Sequence, residues 1–342
     1  MSQPARPPDS RRRIFQIALG LFISALTLVL ALREVDLAEI GQALLAARPG
    51  WVGLALLSVA VNMLAKAYRW KLLLPGQPFG RLLLALLAGA MLNYYLPARL
   101  GDLSRAYAAA DRGEGRARAL GTVLLEKVFD LVAYALLFVL LLLLMPLPTW
   151  ANLPGMASSS AISVVVAALV GVAATILVVY QRGYFLKRIE RGLRWLPQSW
   201  QRFAGSRLRA GLESLDALQD GPALLGLSFW SAVIWLAALA TNQLLLLALG
   251  LPLPWMASLL VLVVLQVGIT LPSVPGRIGV FEYLCILSLA VFGVARSPAL
   301  TYGLLLHMVV LIPTTLAGLA AIWLLGLGGH WSLAAPAGER AG

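Results

Sequence analysis

The sequence predicts an all-α, polytopic helical membrane protein of two inverted-topology halves, each with a broken, re-entrant segment. Three observations predict it. The 342 residues are 60% hydrophobic and 12% charged, whereas soluble domains carry about a quarter charged residues. Several apolar runs reach the roughly 20 residues needed to cross a bilayer. Two further runs are interrupted by proline, glycine and charge, at Leu96–Tyr107 and at Leu271–Tyr283.

The second interruption, Leu271-Pro-Ser-Val-Pro-Gly-Arg-Ile-Gly-Val-Phe-Glu-Tyr283, lies between the apolar stretches Trp255–Thr270 and Leu284–Val294. Proline lacks the N–H a helix requires, and glycine accepts non-helical backbone. In hydrocarbon such backbone is tolerated only where protein or a water-filled cavity satisfies its polar groups. A broken apolar segment carrying Arg277 and Glu282 is therefore a candidate site.

In chain order, residues 1–13 are rich in Pro and Arg and are expected to be disordered. Ile14–Leu32 reads as a first span, since the run exceeds the h-region of a signal peptide. Leu37, Ile40, Leu44 and Leu45 recur at helical spacing, predicting an amphipathic interfacial helix over 36–47. Trp51–Leu74 is a second span, with Arg69, Lys71 and Arg81 marking its end as cytoplasmic. Leu82–Leu96 then meets Pro97-Ala-Arg-Leu-Gly-Asp-Leu-Ser-Arg-Ala-Tyr107. A re-entrant segment there keeps Arg99, Arg105, Arg112, Arg116 and Arg118 inside, as the orientation rule prefers. Leu120–Met145 crosses outward, 146–160 is an external loop, and Ala161–Tyr180 returns. Residues 181–220 are a charged cytoplasmic linker. Leu224–Leu249 and Leu300–Leu327 are the last full spans, and 328–342 is expected to be disordered. Residues 14–145 and 161–327 thus follow the same order in opposite orientation. Leu96-Pro97 with Gly101-Asp102 answers Leu271-Pro272 with Gly276-Arg277, the pattern of an inverted repeat.

Charge excludes several functions. The net charge is +12, but the bases sit in loops between apolar runs, which argues membrane orientation and an anionic leaflet rather than nucleic acid. The single cysteine, Cys285, reads as a packing residue. His307 and His330 are far apart, so neither metal-ligand spacing nor a cofactor motif is found.

Within the apolar runs, Asn62, Lys66 and Arg69 share one helical face. For Arg69 the plain expectation is that it snorkels to the interface. Glu126 and Asp130 also share a face, and Lys127 stands three residues before Asp130, close enough to pair with it. Paired carboxylates suit acid–base chemistry, but no nucleophile or metal motif accompanies them. They are expected to pair with bases such as Arg99, Arg105 or Arg277. Asn242, Gln243 and His307 are expected to form interhelical hydrogen bonds. Asn93, Tyr94, Tyr95 and Gln266 are expected to satisfy unwound backbone at the breaks.

Taken in order, Leu96–Ala106, Glu126-Lys-Val-Phe-Asp130 and Pro272–Glu282 resemble the signature blocks of the lysylphosphatidylglycerol synthase transmembrane-region family. This flippase-like membrane domain occurs alone or fused to an aminoacyl-phospholipid synthase. The resemblance covers about residues 14–327 and implies a multi-pass protein of the bacterial inner (cytoplasmic) membrane, with cytoplasmic N- and C-termini. It implies translocation of a phospholipid or other polar-headed lipid. No soluble synthase domain is expected in this chain, so any enzyme that makes the lipid is a separate partner. No cofactor is implied. Arg99, Arg105 and Arg277 are candidates to bind a lipid phosphate, because a guanidinium offers a fork of donors to two oxygens. Asp102, Glu126, Asp130 and Glu282 would hold those arginines without lipid, and Lys66 and Lys127 complete the expected site. No ATP-binding P-loop occurs in the sequence. A lipid-modifying membrane enzyme, with Asp102 or Glu126 as base, and a non-transporting scaffold for a synthase are the alternatives.

Overall fold

The structure, a computed structural model, describes residues 10–33, 35–96, 99–110, 114–145, 221–268 and 274–327. The expected N-terminal tail up to residue 9, external loop 146–160, span 161–180, linker 181–220 and C-terminal tail lie outside the described residues. So do Pro97, Leu271, Pro272 and Ser273.

The described residues form ten α-helices and no strand: α1 (Ser10–Leu32), α2 (Leu37–Leu45), α3 (Pro49–Leu73), α4 (Phe79–Tyr95), α5 (Leu100–Ala109), α6 (Glu114–Leu144), α7 (Gly221–Ala248), α8 (Trp255–Gly268), α9 (Val280–Ala290) and α10 (Arg296–Leu327). Four of them, α3, α6, α7 and α10, are long and apolar enough to cross a membrane. Many of their large side chains point outward, among them Leu136 and Leu143 on α6, Leu225 and Phe229 on α7, and Leu316 and Trp323 on α10. An apolar exterior of this extent fits lipid, not water. The chain is a multi-pass helical membrane protein, as its composition predicts.

Local chemistry explains the helix ends. The Asp36 carboxylate accepts a hydrogen bond from the Ala38 N–H at 2.8 Å and starts α2, the predicted short amphipathic helix. Pro49 stands at the first position of α3, where its missing N–H costs nothing. α4 stops at Leu96, whose extended backbone (ψ 142°) is what the following proline imposes.

Both interrupted segments fold as antiparallel helical hairpins. In the first, α4 and α5 pack closely, with Gly89 against Gly101 and Arg105. A Cβ on Gly89 would come within 2.6 Å of the Gly101 carbonyl oxygen, so only glycine allows this approach. In the second, α8 pairs with α9, with Gly268 against Leu284 and Phe292 packed near Leu259, Leu260 and Val263. These helices have 17, 10, 14 and 11 residues. At about 1.5 Å per residue none spans the roughly 30 Å hydrocarbon core.

The chain divides into two compact units, each drawing on several stretches. The α8–α9 unit includes described residues of Met1–Ala60, Tyr134–Ala168 and Leu236–Leu311. Its core gathers α1, the start of α3, the end of α7, α8, α9 and the start of α10 around Leu245, Leu246, Val261, Ile286, Leu289 and Tyr302. The α4–α5 unit includes described residues of Val61–Ala133, Leu169–Trp235 and Ile312–Gly342. Trp70, Leu82, Leu86, Ala106, Leu125 and Leu227 lie at its centre.

Candidate functional site

In the α4–α5 unit, three helices bring seven charged side chains together. α3 supplies Lys66 and Arg69, α5 supplies Asp102 and Arg105, and α6 supplies Glu126, Lys127 and Asp130. The one-face spacing on α3 holds: Asn62 donates to the Ile234 carbonyl on α7 at 2.7 Å, and Arg69 donates to the Ser231 hydroxyl at 3.0 Å. Arg69 does not snorkel. It is 2% exposed and pairs with Asp130 at 2.8 Å. A guanidinium this buried in protein needs a counter-charge, which Asp130 on α6 provides.

Arg105 is the other buried guanidinium. Its Nη2 pairs with a Glu126 oxygen at 2.6 Å, and its plane lies over the Trp70 ring, 4.8 Å from the centroid. Trp70 is held there by its Nε1–H, which donates to Thr122 at 2.9 Å. The Arg105 Nε is 3.3 Å from Asp102, near enough for charge attraction but without the geometry of a hydrogen bond. Asp102 is engaged from other sides: Lys127 pairs with it at 3.0 Å, and Asn93 Nδ2 donates to it at 3.2 Å. Asn93 Oδ1 in turn accepts from the Asp102 backbone N–H at 3.2 Å, satisfying the first turn of α5 as expected. Tyr95 instead pairs its hydroxyl with Thr315 at 3.0 Å.

Lys127 therefore bridges to α5, Asp130 pairs with Arg69 and Glu126 with Arg105, so the charges of α6 pair across helices and not along α6. Lys66 has no hydrogen bond or ion pair to a described residue; it is desolvated by burial and feels the charges of Asp130, Arg69, Lys127 and Arg105. The cluster thus holds four cations against three carboxylates. Lys66 is partly exposed, Lys127 39% and Asp130 32%, whereas Arg69, Arg105 and Glu126 are buried. The arrangement is a closed ion-pair base with an accessible, net-positive rim. Buried atoms remain without a hydrogen bond in it: Nε of Arg69, Nε of Arg105 and Oε1 of Glu126.

Arg99 is not part of this cluster. It sits exposed at the tip between α4 and α5 with a left-handed backbone, φ 54°. Among the described residues, the other non-glycine residue with positive φ is Arg277, φ 60°, at the tip between α8 and α9. Backbone conformation matches Arg99-Leu-Gly101 with Arg277-Ile-Gly279, three positions away from the sequence pairing of Gly101-Asp102 with Gly276-Arg277; Pro97, Leu271 and Pro272 of that pairing lie outside the described residues. Two prolines in the second tip made the register ambiguous, and backbone conformation resolves it.

In the α8–α9 unit, where an arginine was expected beside Glu282, the Glu282 carboxylate contacts, among the described residues, a histidine and a backbone N–H. One of its oxygens lies 2.6 Å from His307 Nδ1 on α10, and the other accepts from the Gly279 N–H at 2.7 Å. α9 starts at Gly279 (φ 89°), and Glu282 three residues on reaches back to cap it. Gly279 packs on α1, where a Cβ would meet the Ser24 carbonyl oxygen at 2.5 Å; Ser24 Oγ also accepts from the Val274 N–H at 3.0 Å. The ring of Phe281 stacks on His307 at 4.5 Å. The expected interhelical roles of Asn242 and Gln243 also appear: Asn242 accepts from the Tyr302 hydroxyl at 2.8 Å, and Gln243 accepts from Ser258 at 2.7 Å.

Sequence reasoning missed Trp70, Thr122 and Ser231, since neither an aromatic beside Arg69 nor a serine on α7 announces its partner. No cluster of metal-ligating side chains occurs among the described residues. A family model described as the lysylphosphatidylglycerol synthase TM region matches residues 17–318. No curated protein matches the chain.

Proposed function

Because the chain belongs to the lysylphosphatidylglycerol synthase transmembrane-region family, we propose that it is a lipid translocase of the bacterial cytoplasmic membrane. In this reading it moves a phospholipid or other polar-headed lipid between leaflets, and both termini are cytoplasmic. The observation that carries it is the unmatched cation at the accessible rim of the charged cluster. Lys66, beside Lys127, offers positive charge to a lipid phosphate, while Arg69 and Arg105 with their carboxylates keep the base of the site neutral and rigid. Arg99 and Arg277, at the hairpin tips, make the first contacts with headgroups. Glu126 pairs with Arg105 and Asp102 with Lys127, which favours a counter-ion role for both over that of a base. An enzyme that builds the lipid headgroup is a separate partner.

The test is leaflet exchange of a labelled anionic phospholipid in proteoliposomes. Exchange is expected well above protein-free vesicles, and Lys66→Ala is expected to slow it about tenfold, as loss of one charge-assisted contact does. No exchange above protein-free vesicles, or a Lys66→Ala rate equal to wild type, overturns the reading.

A further inference from the structure

We propose that Glu282 and His307 form a proton-binding site whose loading sets the order of residues 275–279, where the chain enters α9; the site does not depend on the translocase reading.

The 2.6 Å contact between a carboxylate oxygen and an imidazole nitrogen requires a proton between them. Both side chains are buried, at 4% and 8% exposure. His307 Nε2 is also buried and makes no hydrogen bond. With both ring nitrogens protonated, the pair is an imidazolium facing a carboxylate, with no net charge. The Nε2 proton is the one that can leave without breaking a hydrogen bond. Its departure leaves a neutral imidazole and a carboxylate, so one net negative charge stands in an apolar interior. That state is costly until water or another cation reaches the carboxylate.

Glu282 transmits the change. Its second oxygen holds the Gly279 N–H, at the residue where the tip turns into α9. Gly303 on α10 permits the approach, since a Cβ there would lie 3.3 Å from Glu282 Cα and 3.1 Å from Cys285 Cβ. Rehydration of the carboxylate therefore loosens the cap and the Gly279 contact with Ser24 on α1. The groups on the packed elements are mostly neutral: Tyr283 and Cys285 on α9, Tyr302 on α10, Asn242 on α7, Ser258 on α8, and Ser24 and Thr27 on α1. Arg277 is the charged group of the tip itself.

The experiment uses the full-length protein. In micelles, hydrogen–deuterium exchange of the segment 275–283 is followed across pH and corrected for intrinsic exchange. Protection in the wild type is expected to fall about tenfold as pH rises, the effect of losing one buried hydrogen bond. His307→Gln and Glu282→Gln are expected to be flat with pH. A flat wild type, which no folding defect of a variant can produce, overturns the site; so does a pH response that persists in His307→Gln.

Discussion

The two hairpins share a backbone and differ in charge. Each has two helices too short to cross the bilayer, a tip of the form Pro-x-Arg-(Leu or Ile)-Gly, an arginine held at positive φ, and a glycine that a neighbouring backbone approaches closely. The α4–α5 hairpin places two charged side chains, Asp102 and Arg105, into a network with α3 and α6. The α8–α9 hairpin places one carboxylate, Glu282, against one histidine. The same device of broken helices therefore presents a many-charge, net-positive surface in one unit and a single ionisable pair in the other. A polyvalent surface suits a lipid headgroup, and a lone buried pair suits one proton.

The largest test of this contrast is Arg105→Ala. It leaves Glu126 buried without its cation and should destabilise the protein by about 3–5 kcal/mol. The Arg105→Ala/Glu126→Ala double variant should lose clearly less, both read by thermal unfolding in micelles. Equal losses would mean that Arg105 contributes packing on Trp70 and little electrostatics.

Next come the glycines. Gly101→Ala drives a Cβ to 2.6 Å from Asn93 Oδ1, and Gly279→Ala drives one to 2.5 Å from the Ser24 carbonyl oxygen. Each should cost about 1–3 kcal/mol of unfolding stability by overpacking. Gly279→Ala should add about 1 kcal/mol for its left-handed backbone. Sensitivity in only one hairpin would break the equivalence of the two.

The smallest expected effect has the opposite sign. Arg99→Gly relieves a left-handed arginine and should gain about 0.5 kcal/mol after the entropy cost of glycine. Lipid exchange should nonetheless fall. A variant both more stable and fully active would show that the side chain at this tip has no part in transport.

Much of the site was visible before the structure because the residues stand where they should not. Lys66, Arg69, Arg105, Glu126, Lys127 and Asp130 interrupt apolar sequence, and charge in hydrocarbon is too costly to be idle. The partners were visible only in part. Glu126 was expected to meet a base on a neighbouring helix, with Arg105 among those named, and it does. Arg69 was expected at the interface and Glu282 with an arginine, whereas Arg69 meets Asp130 and Glu282 meets His307. Trp70 under Arg105 and His307 against Glu282 likewise depend on how two helices are rotated about their axes, which no local pattern records.

By itself, the sequence determined that this chain lives in a membrane, where its helices run, and where two of them break. Those properties are local: apolar length, the missing N–H of proline and the permissiveness of glycine act within a few residues. Only the tertiary structure decided that the breaks are hairpins, that the arginines of their tips correspond, and which carboxylate neutralises which base. Residues far apart in the chain meet in those contacts, and their energies depend on distances of a few ångströms that packing alone sets.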